Sequence, residues 1–141
     1  MVDGGRLAVQ LVRIVAGFIC ALIAAGLFLA WGVFRAGPPE VDPVGFGAMV
    51  GTGLVSAAVL GSATFVPALA AILLAELAGW RSIVYHVGAA GLIAFALWLL
   101  RAEPAGGGLP PGTPVALAAG FLAGAVYWLV AGRRAGLWKV S

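Results

Sequence analysis

Ionisable side chains are scarce in this chain: Asp, Glu, Lys and Arg together make up 9% of its 141 residues, against about a quarter in soluble globular domains. Hydrophobic residues make up 63%. A water-soluble fold of this length could not hide so much apolar surface, so the composition calls for a bilayer. Cysteine and histidine occur once each, as Cys20 and His86. A single cysteine leaves no intrachain disulfide and no Cys-x-x-Cys redox pair. A single histidine cannot supply both axial ligands of a bis-histidine haem, and with Cys20 it falls short of the three or four protein ligands of a zinc site. The glycines at 106–108 are followed by no Lys-Ser or Lys-Thr, so they form a flexible linker rather than a phosphate loop. No cofactor, no metal and no self-contained catalytic site is expected.

The few charges fall in clusters, separated by uncharged apolar runs of roughly the 20 residues that cross a hydrocarbon core. Four spans are predicted in one all-α domain, over about residues 14–34, 46–75, 82–100 and 113–131. The second is long enough to include an interfacial turn or a strong tilt. Between spans one and two lies RAGPPEVDPVG, and between three and four RAEPAGGGLPPGTP. Both are Pro/Gly linkers that cannot continue a helix. The expected architecture is an integral membrane four-helix bundle made of two helical hairpins.

Lys and Arg are distributed unequally across these spans. Arg6, Arg13, Arg81, Arg133, Arg134 and Lys139 fall on one side, and Arg35 and Arg101 on the other. The positive-inside rule then predicts both termini in the cytoplasm. The net charge of +3 is topological and gives no reason to expect nucleic acid; the tail GRRAGLWK reads as a contact with anionic lipid. The first apolar run is too long for the core of a signal peptide, and Cys20 follows an isoleucine where a lipobox has a small residue. It is therefore expected to stay in the membrane as a span.

Two segments resemble each other: Trp31 to Pro38, WGVFRAGP, and Trp98 to Pro104, WLLRAEP. Duplicated hairpins would produce this, as would the ordinary placing of Trp at an interface, a cation at a helix C-terminus and proline just beyond it. Small residues recur at four-residue intervals as Gly53, Ala57 and Gly61, as Ala116, Gly120 and Gly124, and as Gly17, Ala21 and Ala25. Lipid gives no hydrophobic drive to helix association, so close backbone approach at such positions is a means of holding a bundle together. Pro67 inside the second span frees the carbonyl of Ala63 and predicts a kink, with Ser62 or Thr64 placed to help satisfy the freed group.

No ionisable residue lies at the middle of any span. Proton-coupled carriers usually keep one there, and the small multidrug exporters, which this chain resembles in length and span count, work through a glutamate in their first span. The first span here, IVAGFICALIAAGLFLAWGVF, has none. Polar chemistry is concentrated instead in LLAELAGWRSIVYHVG, where Glu76, Arg81, Tyr85 and His86 surround a short turn. Read structurally, Glu76 and Arg81 clasp the corner as an ion pair, Trp80 and Tyr85 are interfacial aromatics, and His86 is hydrogen-bonded between helices. Read functionally, the four form a polar pocket for a headgroup, a quinone or a proton.

The span layout and the ending FLAGAVYWLVAGRRAG resemble small four-span inner-membrane proteins of GC-rich bacteria, a resemblance that implies a location and no activity. The sequence thus predicts a multi-pass bacterial inner-membrane protein surrounded by lipid. Its leading expected role is an accessory or scaffold subunit packed against a larger membrane complex or against copies of itself. A homo-oligomeric channel or carrier for a small solute is the alternative, and a lipid- or quinone-binding module at the corner the third.

Overall fold

Each helix begins where a short polar side chain or a proline favours it. A computed structural model describes residues 2–103 and 106–139. Asp3 caps α1, Gly4–Phe34, its Oδ1 accepting from the amides of Gly5 and Arg6 at 3.1 and 3.2 Å. Asp42 caps α2, Pro43–Ala78, accepting from the Gly45 amide at 2.9 Å, with proline at the first helical position, where its missing N–H costs nothing. Ser82 caps α3, Ile83–Arg101, and α4, Thr113–Val130, follows Gly112, which has a positive φ of 84°. A single 3-10 turn, Gly132–Arg134, ends the helical structure. Among the described residues the β-structure is one isolated bridge, Val2 to Lys139, which brings the two ends of the chain side by side.

The protein is all-α, and all four helices are long and apolar enough to cross a membrane. α1 starts about ten residues before the apolar run at 14–34, because Arg6 and Arg13 interrupt hydrophobicity without interrupting helical hydrogen bonding. α2 has 36 residues, about 54 Å at 1.5 Å per residue, well beyond a hydrocarbon core of about 30 Å. It must tilt or protrude. α3 and α4, with 19 and 18 residues, match the core.

Helix α2 continues through Pro67. Ser62 and Thr64 do not serve the freed Ala63 carbonyl as expected. Their hydroxyls donate to Val59 and Leu60 carbonyls at 2.8 and 2.7 Å. The two Trp-to-Pro segments also part company in conformation: α1 is capped by left-handed Arg35 at φ 46°, α3 by extended Ala102 at φ −76°. Pro104, which completes the second segment, lies outside the described residues.

Three seams hold the bundle, α1 with α2, α3 with α4, and α1 with α4, whereas α2 and α3 barely touch. Glycines mark the closest approaches. A Cβ at Gly26 would run into the Gly53 carbonyl and would lie 2.9 Å from the Ala57 amide nitrogen. One at Gly124 would lie 2.5 Å from the His86 carbonyl oxygen, and one at Gly120 2.8 Å from that of Ala90. Gly61 meets Leu22 more loosely, at its side chain, while Gly17 packs on Tyr127 and Ala131. Ala21, Tyr127 and Ala131 form the small buried centre, with Ile14, Ile72 and Ala123 around it.

Candidate functional site

At the end of the bundle that carries both chain termini, polar groups converge on Glu76. It is 5% exposed and faces Gln10, which is 4% exposed. Glu76 Oε1 accepts from Gln10 Nε2 at 2.6 Å, and its Oε2 from the Gly136 amide and Trp138 Nε1 at 2.8 and 2.9 Å. A buried carboxylate is costly unless hydrogen-bonded; here three charge-assisted bonds answer it. The expected Glu76–Arg81 ion pair does not form. Each partner turns to the C-terminal segment instead, Arg81 donating from Nε to the Ala135 carbonyl at 3.0 Å. Trp128 donates to the Arg81 carbonyl at 2.7 Å and Lys139 to that of Leu77. The segment thereby straps the α2–α3 corner, and Gly136, in the left-handed region at φ 73°, allows the approach: a Cβ there would lie 2.8 Å from Gly79 Cα.

His86 sits one level deeper and is 6% exposed. Its Nδ1 lies 2.8 Å from the Ser82 carbonyl, which can only accept, so Nδ1 carries the proton. The ring stacks on Tyr127 at 5.7 Å between centroids and 27° between planes, while its other edge abuts Gly132. Nε2 is buried and has no hydrogen-bond partner among the described residues. Tyr85, next to it, reaches across to α2 and donates to the Ala71 carbonyl at 2.7 Å. That bond is one of the few links between α2 and α3.

Below it these two helices separate. Between them runs a lateral groove of about 530 Å³, floored by α1 and α4. Its walls are mostly apolar: Leu22, Leu60, Ile93 and Leu97 with a run of alanines, the hydroxyls of Thr64 and Tyr85 being spent on the carbonyls of Leu60 and Ala71. Tyr85 and His86 close one end, and Trp98 and Arg101 stand at the other. From His86 to Arg101 the groove follows fifteen residues of α3, about 22 Å.

The four residues singled out from the sequence therefore divide between two places. Glu76 and Arg81 belong to the strap, Tyr85 and His86 to the groove. Gln10, Tyr127, Gly136 and Trp138 complete these sites without having been noticed in the sequence. Gln10 had a signal, as an amide lying between Arg6 and Arg13 on the same helical face; Gly136 and Trp138 fall in the tail GRRAGLWK, which reads as a lipid contact, and only folding carries them 60 and 62 positions back to Glu76.

The class defined by this fold is a multi-pass, all-α membrane protein whose four helices enclose a groove open between α2 and α3. Comparison with known proteins adds no relative to that description: no family model, curated protein or solved structure matches the chain.

Proposed function

We propose that the protein is a non-catalytic binding module of the bacterial inner membrane that holds one long hydrocarbon chain, from a membrane lipid or an isoprenoid, in the groove between α2 and α3. The observation that carries this reading is the groove itself, mostly apolar along its walls and lying between two helices that barely touch. Each leaflet contributes about 15 Å to a hydrocarbon core of about 30 Å. A groove following about 22 Å of α3 reaches past the midplane, which favours a long chain over an ordinary acyl tail. Arg101 suits an anionic headgroup at its mouth. Of the Ser and Thr residues of α2, Thr64 is the one that lines the groove, and its hydroxyl bonds the Leu60 carbonyl, so the groove suits a hydrocarbon chain better than a polar solute.

The test is lipid analysis of protein purified in mild detergent. Wild type should carry a stoichiometric chain-bearing molecule, and Ala68→Phe with Ala89→Phe, which fill the groove, should lose it while keeping the melting temperature. A lipid content equal to that of the surrounding bilayer in both proteins would rule the reading out.

A second reading, the accessory or scaffold role, draws support from α2, of whose 36 residues four are buried. Side chains at Gly47 and Gly51 would meet nothing within 4 Å, leaving a smooth face for a partner helix or a second copy. Site-specific crosslinking from Gly51 would give a discrete adduct on this reading and a lipid-like smear without it. The basic residues near the termini support a cytoplasmic location for both ends; a reporter fused at Gly106 should then read periplasmic and one after Ser141 cytoplasmic.

A further inference from the structure

We infer that a second cavity, on the terminal side of the bundle and distinct from the groove, binds the phosphate of an anionic membrane lipid. It has a volume of about 350 Å³ and lies between the first turns of α1 and the C-terminal segment. Arg6 and Arg13 line it from α1 and Arg134 from the 3-10 turn, with Val9, Leu137 and Trp138 as apolar wall. Three of the eight basic residues of the chain are thus gathered from its two ends.

Positions 6, 9, 10 and 13 share one face of α1, since they are spaced by three and four residues. That face carries charge at both ends and Val9 and Gln10 between. The acidic groups nearby offset part of the charge and leave the site basic, with three guanidinium groups set against the carboxylates of Asp3 and Glu76. Asp3 pairs with Arg6 alone, at 3.2 Å, and that pair is exposed. Both oxygens of Glu76 are taken by Gln10, Gly136 and Trp138 behind the wall. Those bonds also fix the side of the cavity: Trp138 is held by its indole N–H, and Gln10 by its amide.

The ligand class follows from charge and position together. Guanidinium groups match carboxylate and phosphate oxygens alike in a bidentate manner, and three of them around one cavity suit a phosphate, which has more oxygens to share among them. α1 has 31 residues, about 46 Å, so its first turns extend past a hydrocarbon core of about 30 Å and stand at headgroup level. Val9 is 51% and Leu137 44% exposed, an apolar rim that suits the glycerol and upper acyl region of a lipid and gives nothing to a free ion. Basic pockets between membrane helices are a known means of holding such headgroups.

The experiment uses the full chain in dodecylmaltoside, exposed to an equimolar mixture of phosphatidylglycerol and phosphatidylcholine, with retained lipid counted by native mass spectrometry. Wild type should prefer phosphatidylglycerol. Each of Arg6→Gln, Arg13→Gln and Arg134→Gln should lower that preference roughly fivefold, and the triple variant should abolish it, whereas Arg35→Gln should leave it intact. The single Arg134→Gln variant, altered only at an exposed side chain, keeps the test valid if the triple variant fails to fold. Equal retention of the two lipids by wild type, or a preference that survives the triple substitution, would overturn the assignment. So would complete displacement of phosphatidylglycerol by millimolar inorganic phosphate, which would make this a free-anion site. Because Arg101 can draw an anionic headgroup to the groove as well, every measurement is repeated in the groove-filling Ala68→Phe/Ala89→Phe background, where the phosphatidylglycerol preference and its loss on arginine substitution should persist.

Discussion

Helix α3 packs on α4 and stands away from α2, and the two sides of this one helix differ chiefly in what faces them. On the α4 side, Gly120 and Gly124 let the two backbones meet, with no room for even a methyl group. On the α2 side the facing residues are Ala63, Ala68, Leu60 and Ile72, and one tyrosine hydroxyl, bonded to the Ala71 carbonyl, spans the gap. Small residues occur on both sides. What separates a closed seam from a groove is whether a glycine coincides with an opposing backbone atom, a matter of rotation and depth that composition does not express.

The largest effect is expected where backbone meets backbone. Gly124→Leu and Gly26→Leu place a branched side chain against the carbonyls of His86 and Gly53, neighbours that cannot swing aside. Overpacking typically costs about 1–3 kcal/mol, and these two should lie at or above the top of that range in thermal or denaturant unfolding in detergent. Gly61→Leu, which meets only the end of Leu22, should cost clearly less. Equal losses at all three would mean that helix propensity, not the closed seam, sets the cost.

Next in size is the strap. Glu76→Gln replaces an acceptor of three hydrogen bonds with a group that must present an NH2 to donors, and should cost about 1–3 kcal/mol. Gln10→Ala should cost a similar amount and should couple to it: a double-mutant cycle should return about 0.5–3 kcal/mol of interaction. Additivity within error would show that Gln10 and Glu76 do not act as a pair. Trp138→Phe removes one bond to the carboxylate and should cost about 1.5 kcal/mol.

Arg81→Gln should be smaller, below about 1.5 kcal/mol, since it loses one bond to a carbonyl at an exposed position. Smallest of all should be Ala68→Phe, within about 0.5 kcal/mol of wild type, because the new ring enters open groove rather than packed core. A large loss there would indicate that α2 and α3 close on each other, and the contrast between the two sides of α3 would disappear.

Much of the fold was legible because the bilayer imposes it. Apolar runs of the right length and linkers rich in proline and glycine mark four helices with little ambiguity, except where Arg6 and Arg13 ended an apolar run but not its helix. The site was legible only in part. Tyr85 and His86 stood out as polar residues inside a span, and both line the groove. Glu76 and Arg81 were noticed for their charge and were paired with each other, since sequence neighbours are the only partners a linear reading can supply.

By itself, then, the sequence determined that this is a four-span, all-α membrane protein, because hydrophobic length and backbone hydrogen bonding leave a chain in lipid few alternatives. Tertiary structure alone decided that Glu76 answers to Gln10, Gly136 and Trp138, and that His86 keeps a buried nitrogen without a partner among the described residues. It likewise decided that α2 stands apart from α3. Each of these depends on the rotation of one helix about its axis and on where residues 60 or more positions apart come to rest, and those are set by the few places where glycine lets two backbones touch.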